Sequence, residues 1–199
     1  MSFSPYGSIL FEAGTKFRLA RLPGMVMTTQ NRDSGYRELA NGTWYIVMTD
    51  LPLWRKRSGV VSYLGLPGGE LADVVSWRQE QRSGHIFGRD RPIEDEGWQW
   101  EWRGVEPFTL FAKSRWRFLA GNLQQGWAVT EFEKTLFTPA GVDVYCRSSR
   151  PAHGQLSAAL ATLPEEVARR LYLPPVWIDV PVSGPPAALS PSDAGSLSD

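Results

Sequence analysis

Cysteine occurs once in the 199 residues, at Cys146, and histidine twice, at His85 and His153. A lone thiol forms no intramolecular disulfide, so the expected setting is reducing and cytoplasmic. Neither histidine has a His, Cys or carboxylate at a ligand spacing, so no metal and no cofactor is expected. Cys146 has no histidine close by in sequence and reads as a small buried residue rather than a nucleophile. There is no Gly-x-Ser-x-Gly elbow. Gly65, Gly68 and Gly69, and likewise Gly84 and Gly88, read as hairpin glycines, not as a phosphate loop leading into a helix. No apolar run approaches the length of a membrane span. The first 22 residues lack the basic flank and continuous apolar stretch of a signal peptide. Charge of one sign is missing too: 21 basic residues balance 21 acidic ones. The arginines at 55, 57, 115 and 117 are interleaved with aromatics instead of forming a basic stripe, so no nucleic-acid partner is expected. Glu94-Asp95-Glu96, following Asp90 and Pro92, reads as a solvated loop.

Ring surface, by contrast, is abundant, with nine Trp, nine Phe and six Tyr. Each large ring buries roughly 150–250 Å², either in a core or on a ligand. From Tyr36 onward, short segments rich in Val, Ile, Tyr, Trp, Phe and Thr recur between Gly, Pro, Asp and Asn. That rhythm predicts an all-β sandwich or barrel. The expected strands are 43–50, 59–65, 73–81, 83–88, 97–103, 107–112, 114–120, 126–132, 134–138 and 142–149. A helix is expected over 153–162, a second turn after Pro164 over 165–171, and a short closing strand over 176–180. Three regions follow: an N-terminal extension over 1–34 that covers the barrel, the barrel plus helix over 35–181, and a disordered tail over 182–199.

Two strands alternate cleanly. Trp98, Trp100 and Trp102 share one face while Gln99, Glu101 and Arg103 share the other; Trp116 and Phe118 alternate in the same way with Arg115 and Arg117. One wet face and one dry face is what a barrel strand requires.

Asn41-Gly42-Thr43-Trp44-Tyr45 stands directly ahead of the first regular strand, and here the sequence resembles the lipocalins, whose first strand opens with Gly-x-Trp. The segments Gly126 to Phe132, Lys134 to Thr138 and Val142 to Arg150 look like the last long strands of that family. The family's Thr-Asp-Tyr loop motif is absent, with Thr130-Glu131-Phe132-Glu133 in its place. "GTWYIVMTDLPLW" and "SRWRFL…WAVTEFEKTLFTPAGVDVYCR" look more like uncharacterised lipocalin-like proteins of microbes. The resemblance implies an up-and-down antiparallel β-barrel with a C-terminal helix packed outside. It also implies a barrel plug of Gly42 and Trp44 capped by an arginine, with the Asp143 to Arg150 spacing favouring Arg150 and strand alternation permitting Arg147.

The resemblance further implies that the first strand runs from the closed end to the open end. Ile46, Met48 and Asp50 would then face inward, and Leu51 to Trp54 would form an apolar lid. The expected function is binding a hydrophobic small molecule in an aromatic-lined cavity. Its walls would be Met48, Trp54, Trp98, Trp100, Trp102, Trp116 and Phe118. The alternative is a cofactor-independent cyclase of the Diels–Alder type in natural-product biosynthesis, which needs only a shaped cavity and one well-placed hydrogen bond. Asp50, Tyr63, Thr130 and Tyr145 are the polar candidates for it.

Overall fold

A computed structural model of the chain describes residues 29–93, 99–135 and 138–177. Eight strands close into one antiparallel barrel, each paired with its neighbours in chain order and the last with the first. They are β1 (Gly42–Thr49), β2 (Ser58–Gly65), β3 (Leu71–Gln79), β4 (Arg82–Pro92), β5 (Gln99–Gly104), β6 (Lys113–Asn122), β7 (Trp127–Phe132) and β8 (Gly141–Cys146). Closure leaves no unpaired edge. A helix, α1 (Thr29–Ala40), leads into β1, and two others, α2 (His153–Leu160) and α3 (Glu165–Ala168), follow β8. The fold is thus the expected up-and-down barrel with a helix outside.

Two expected strands, 107–112 and 134–138, show no strand over their described residues. Residues 107–112 lie in a helical turn, with the N–H groups of Thr109 and Leu110 both donating to the Glu106 carbonyl. Pro107 supplies the fixed φ that opens such a turn, and Thr109 Oγ1 bonds the Glu106 backbone. Residues 133–135 are irregular, and the Thr138 N–H closes onto Thr135 Oγ1 at 3.0 Å. Gly84 and Gly88 are interior to β4, the second strand of the β3–β4 hairpin, and not at its turn. Val176 and Trp177 are not in a strand. Most of the 1–34 extension, Trp98, residues 178–180 of the closing strand and the tail lie outside the described residues.

The barrel separates two apolar clusters. The inner one gathers Trp44, Ile46, Tyr63, Trp100, Trp116, Phe118 and Tyr145, with Leu39 and Ala40 of α1 closing the bottom. The outer one packs Val129 of β7 and Val144 and Cys146 of β8 beneath Ala159 of α2, with Val167 of α3 alongside.

The plug forms at the closed end. Gly42 has φ +99°, and a Cβ there would stand 3.0 Å from Arg147 Nη1, so only glycine fits. The turn drops Trp44 into the barrel floor, fully buried, its indole N–H donating to the Ala40 carbonyl at 3.0 Å. The arginine above it is Arg147, not Arg150. Its guanidinium carbon lies 3.5 Å from the Trp44 ring centroid, and its nitrogens donate to the carbonyls of Leu39, Asn41 and Thr43. β8 ends at Cys146, so Arg147 is the next residue, while the chain turns away through Ser148 and leaves Arg150 exposed.

Removing a partly buried charge that holds three carbonyls costs about 2–4 kcal/mol. Arg147→Ala is therefore expected to lower the unfolding free energy measured by urea titration by that amount, while Arg150→Ala stays within about 0.5 kcal/mol of wild type.

Candidate functional site

Strand β1 decides which side chains face the interior. Its pairing with β8 slips between Ile46, opposite Tyr145, and Met48, opposite Val144, so one extra residue is taken up. Trp44 and Ile46 point inward. Val47 and Met48 both join the outer cluster, and Thr49 returns to the inside. Met48 is therefore not a pocket residue. Asp50 is displaced by the same slip. Its Oδ1 accepts from the Val142 N–H at 2.7 Å and its Oδ2 lies 3.3 Å from Arg170 Nη2. It borders an outer hollow of about 400 Å³ with Pro52, Arg55 and Tyr172. The inward acid at that level is Asp143, which accepts from Thr49 Oγ1 at 2.6 Å.

The lower half of the barrel is filled with rings. Trp116 stacks between Trp100, centroids 4.8 Å apart, and Tyr63, 5.1 Å apart. Phe118 meets Trp116 edge-on at 5.4 Å. Trp100, Trp116 and Phe118 are all buried and form a floor. Tyr63, Thr130 and Tyr145 come together there. Thr130 Oγ1 donates to the Asp143 carbonyl at 3.3 Å beside the two buried phenols. Burial pushes both phenols well above their ordinary range.

The upper half is lined differently. Trp77 of β3 pairs across to Gly84 of β4, and a Cβ on Gly84 would meet its indole at 2.8 Å. Gly88 would meet the Trp102 indole at 1.9 Å. Each indole thus occupies the space that a side chain on the neighbouring glycine would need, and the Arg57 guanidinium carbon lies 4.9 Å from the Trp77 ring centroid. Val75, Trp77, Trp102 and Phe132 are only partly buried there. A 3-10 turn, Pro52–Trp54, folds over this end and buries Leu51 and Trp54 in the inner cluster.

Two further acids sit between floor and upper wall. Asp73 and Asp90 are diagonal neighbours, since Asp73 pairs with Gly88 and Asp90 with Leu71. Asp90 Oδ1 accepts from the Trp116 indole N–H at 2.7 Å. Asp73 Oδ1 and Asp90 Oδ2 accept no hydrogen bond, and the nearby Trp102 N–H has no partner in hydrogen-bond geometry. Burial raises all three carboxyls. Asp90 rises to about 7, moderated by Trp116. Asp143 rises to about 7, with Thr49 opposing the shift. Asp73 rises well above its usual range through burial and then the charge of Asp90. These groups hold protons in water that would ionise an exposed aspartate.

Sequence reasoning missed this set. The sequence reading gives Asp90 no role beyond preceding the Glu94-Asp95-Glu96 loop, yet the alternation Gly84, Ile86, Gly88, Asp90 puts it inside. Trp77 and Asp73 follow from Leu71, Asp73, Val75, Trp77 by the same period. Cys146 is buried in the outer cluster, where burial pushes its thiol up to about 12. Among the described residues no group of three His, Cys, Asp or Glu side chains is arranged to hold a metal ion. No helix among them is long and apolar enough to cross a membrane.

An acid whose pKa is raised in the folded state binds more protons there than when unfolded. It therefore subtracts stability as pH climbs from the unfolded value near 4 to the folded value near 7. Asp90→Asn should erase that slope, so that its stability relative to wild type grows by roughly 2–4 kcal/mol between pH 4.5 and 7.5. Denaturant titrations across that range check it; parallel curves for the two proteins would contradict the assignment.

No protein-family model matches the sequence, and comparison with curated proteins finds no match. Solved structures do. Lobster apocrustacyanin A1 and apocrustacyanin C2 each superpose with a TM-score of 0.55 at 12% identity, covering 73% of this chain and 84% of theirs. The siderocalin Ex-FABP, described as having dual ligand specificities, gives 0.53 at 15% identity over 71% of this chain and 96% of its own. A biogenic amine-binding protein gives 0.52 at 12%, covering 68% and 78%. Identities this low speak to fold alone. The fold of this chain is the closed eight-strand lipocalin-like β-barrel.

Proposed function

We propose that the barrel binds a small, largely apolar molecule in its upper half, beneath the Leu51 to Trp54 lid. The observation that carries this reading is the pair of partly buried indoles, Trp77 and Trp102, packed against cross-strand glycines above a sealed floor. Half-buried rings on the inner wall suit a planar or polyene guest, which on Trp77 would share the ring with the Arg57 guanidinium, 4.9 Å from its centroid. The unpartnered oxygens of Asp73 and Asp90 mark where the polar end of such a guest belongs, since a buried acceptor without a donor costs about 1–3 kcal/mol. The dual ligand specificities of the siderocalin and the amine binding of the other protein lend this barrel shape a binding role by analogy of fold.

A second reading is the cofactor-independent cyclase, favoured by one feature. Asp90, with a pKa of about 7, keeps a carboxyl O–H available in a ring-walled space. Such a donor polarises a carbonyl on a polyene held in near-attack shape, and ring closure by cycloaddition needs no other reactant.

Tryptophan fluorescence titration with aromatic and polyene probes tests binding. Wild type should saturate at one probe per chain. Trp77→Ala and Trp102→Ala should each weaken binding by roughly 10-fold or more, from about 1–3 kcal/mol of lost ring contact. Unchanged affinity in both variants, or no binding of any apolar probe, would sink the proposal. Chromatography of a bound polyene over time separates carrier from cyclase, because a cyclase returns an isomer of equal mass.

A further inference from the structure

We propose that the open end of the barrel docks on an anionic lipid surface, with the loop between β5 and β6 as its point of insertion. Residues 106–111 form a preformed turn on that loop. The Glu106 N–H donates to Thr109 Oγ1 at 3.2 Å, Thr109 Oγ1 donates back to the Glu106 carbonyl at 3.1 Å, and the Leu110 N–H reaches the same carbonyl at 2.9 Å. Thr109 also fills the space over Gly104, which ties the turn to the barrel wall. Its rings nevertheless point away from the protein. Phe108 is 100% exposed and Phe111 92%, and Val105 and Leu110 beside them are more than half exposed. A scattered exposed leucine is ordinary. Three large apolar side chains on one hydrogen-bonded turn, with Val105 just ahead of it, form a patch whose burial requires a partner.

Charge selects the partner. The chain carries no net charge, yet its open end is basic. Arg55 and Lys56 are exposed on the loop after β1, Arg82 is exposed where β4 begins, and Lys113 and Arg115 flank the turn at the start of β6. Glu101 is shared among Arg103, Lys113 and Arg115; the other acids at this end are Glu80, Glu106, Asp50, which pairs with Arg170, and Glu133, whose N–H donates to the Arg115 carbonyl, and Arg57 adds to the cations. Apolar rings framed by cations fit the boundary of an anionic leaflet, where rings enter the acyl region and cations stay with the headgroups. A second copy is disfavoured, because a symmetric contact through this end would set one basic rim against another. The inference does not depend on the ligand-binding reading, although a mouth held at a membrane would suit an apolar guest.

Flotation of the full chain with 100-nm vesicles is the test, comparing pure phosphatidylcholine with a mixture of about seven parts phosphatidylcholine to three of phosphatidylserine. Wild type should float with the mixed vesicles and far less with the neutral ones. Phe108→Ser with Phe111→Ser should lower the partition coefficient at least tenfold, and Lys113→Glu should lower it by a smaller factor that vanishes in high salt. Both phenylalanines are exposed, so circular dichroism and the urea midpoint of the double variant should match wild type. Absence of flotation with either vesicle, or equal flotation by the double variant, overturns the proposal. So does a wild-type dimer in light scattering that the double variant abolishes, since the patch would then be a self-interface.

Discussion

The contact between Arg147 and Trp44 organises the closed end. Trp44 fixes the start of β1, its N–H ties that strand to α1, and Arg147 joins both to the end of β8 through three carbonyls. Barrel closure requires β1 and β8 to meet, and this is where the chain's two ends of the sheet are locked in register. Gly42 is the smallest part of the device and the least replaceable, because both its positive φ and the guanidinium beside it exclude a side chain. Everything above depends on this floor holding its level.

The slip near Val47 is the second constraint. A period of two carries no tolerance, so a single extra residue reverses the facing of everything beyond it. It turns Met48 toward the outer helices and Asp50 toward Arg170, and it lets Thr49 meet Asp143 inside. The interior therefore acquires a buried acid from β8 where alternation along β1 alone would have supplied one.

The fold was legible because its signals are local. Gly-x-Trp, alternating Trp-x-Trp, and turn residues between short strands all report on neighbours within ten positions. The helical turn at 106–111 was misread because its Phe and Leu content resembles a strand, while the deciding bonds come from Thr109 and Glu106. The site was less legible. Which ring fills the floor and which lies on the wall depends on the residue opposite, as with Trp102 on Gly88, and that pairing follows from register instead of composition. Aspartates within strands read as outward polar residues, so Asp73, Asp90 and Asp143 were invisible until the strands had faces.

The outer cluster braces only part of the barrel. Helices α2 and α3 cover the seam of β7, β8 and β1, whereas the glycine-seated indoles stand on β3 and β5. Helix packing thus reinforces the seam where β1 meets β8, on the side of the barrel away from the strands that carry Trp77 and Trp102.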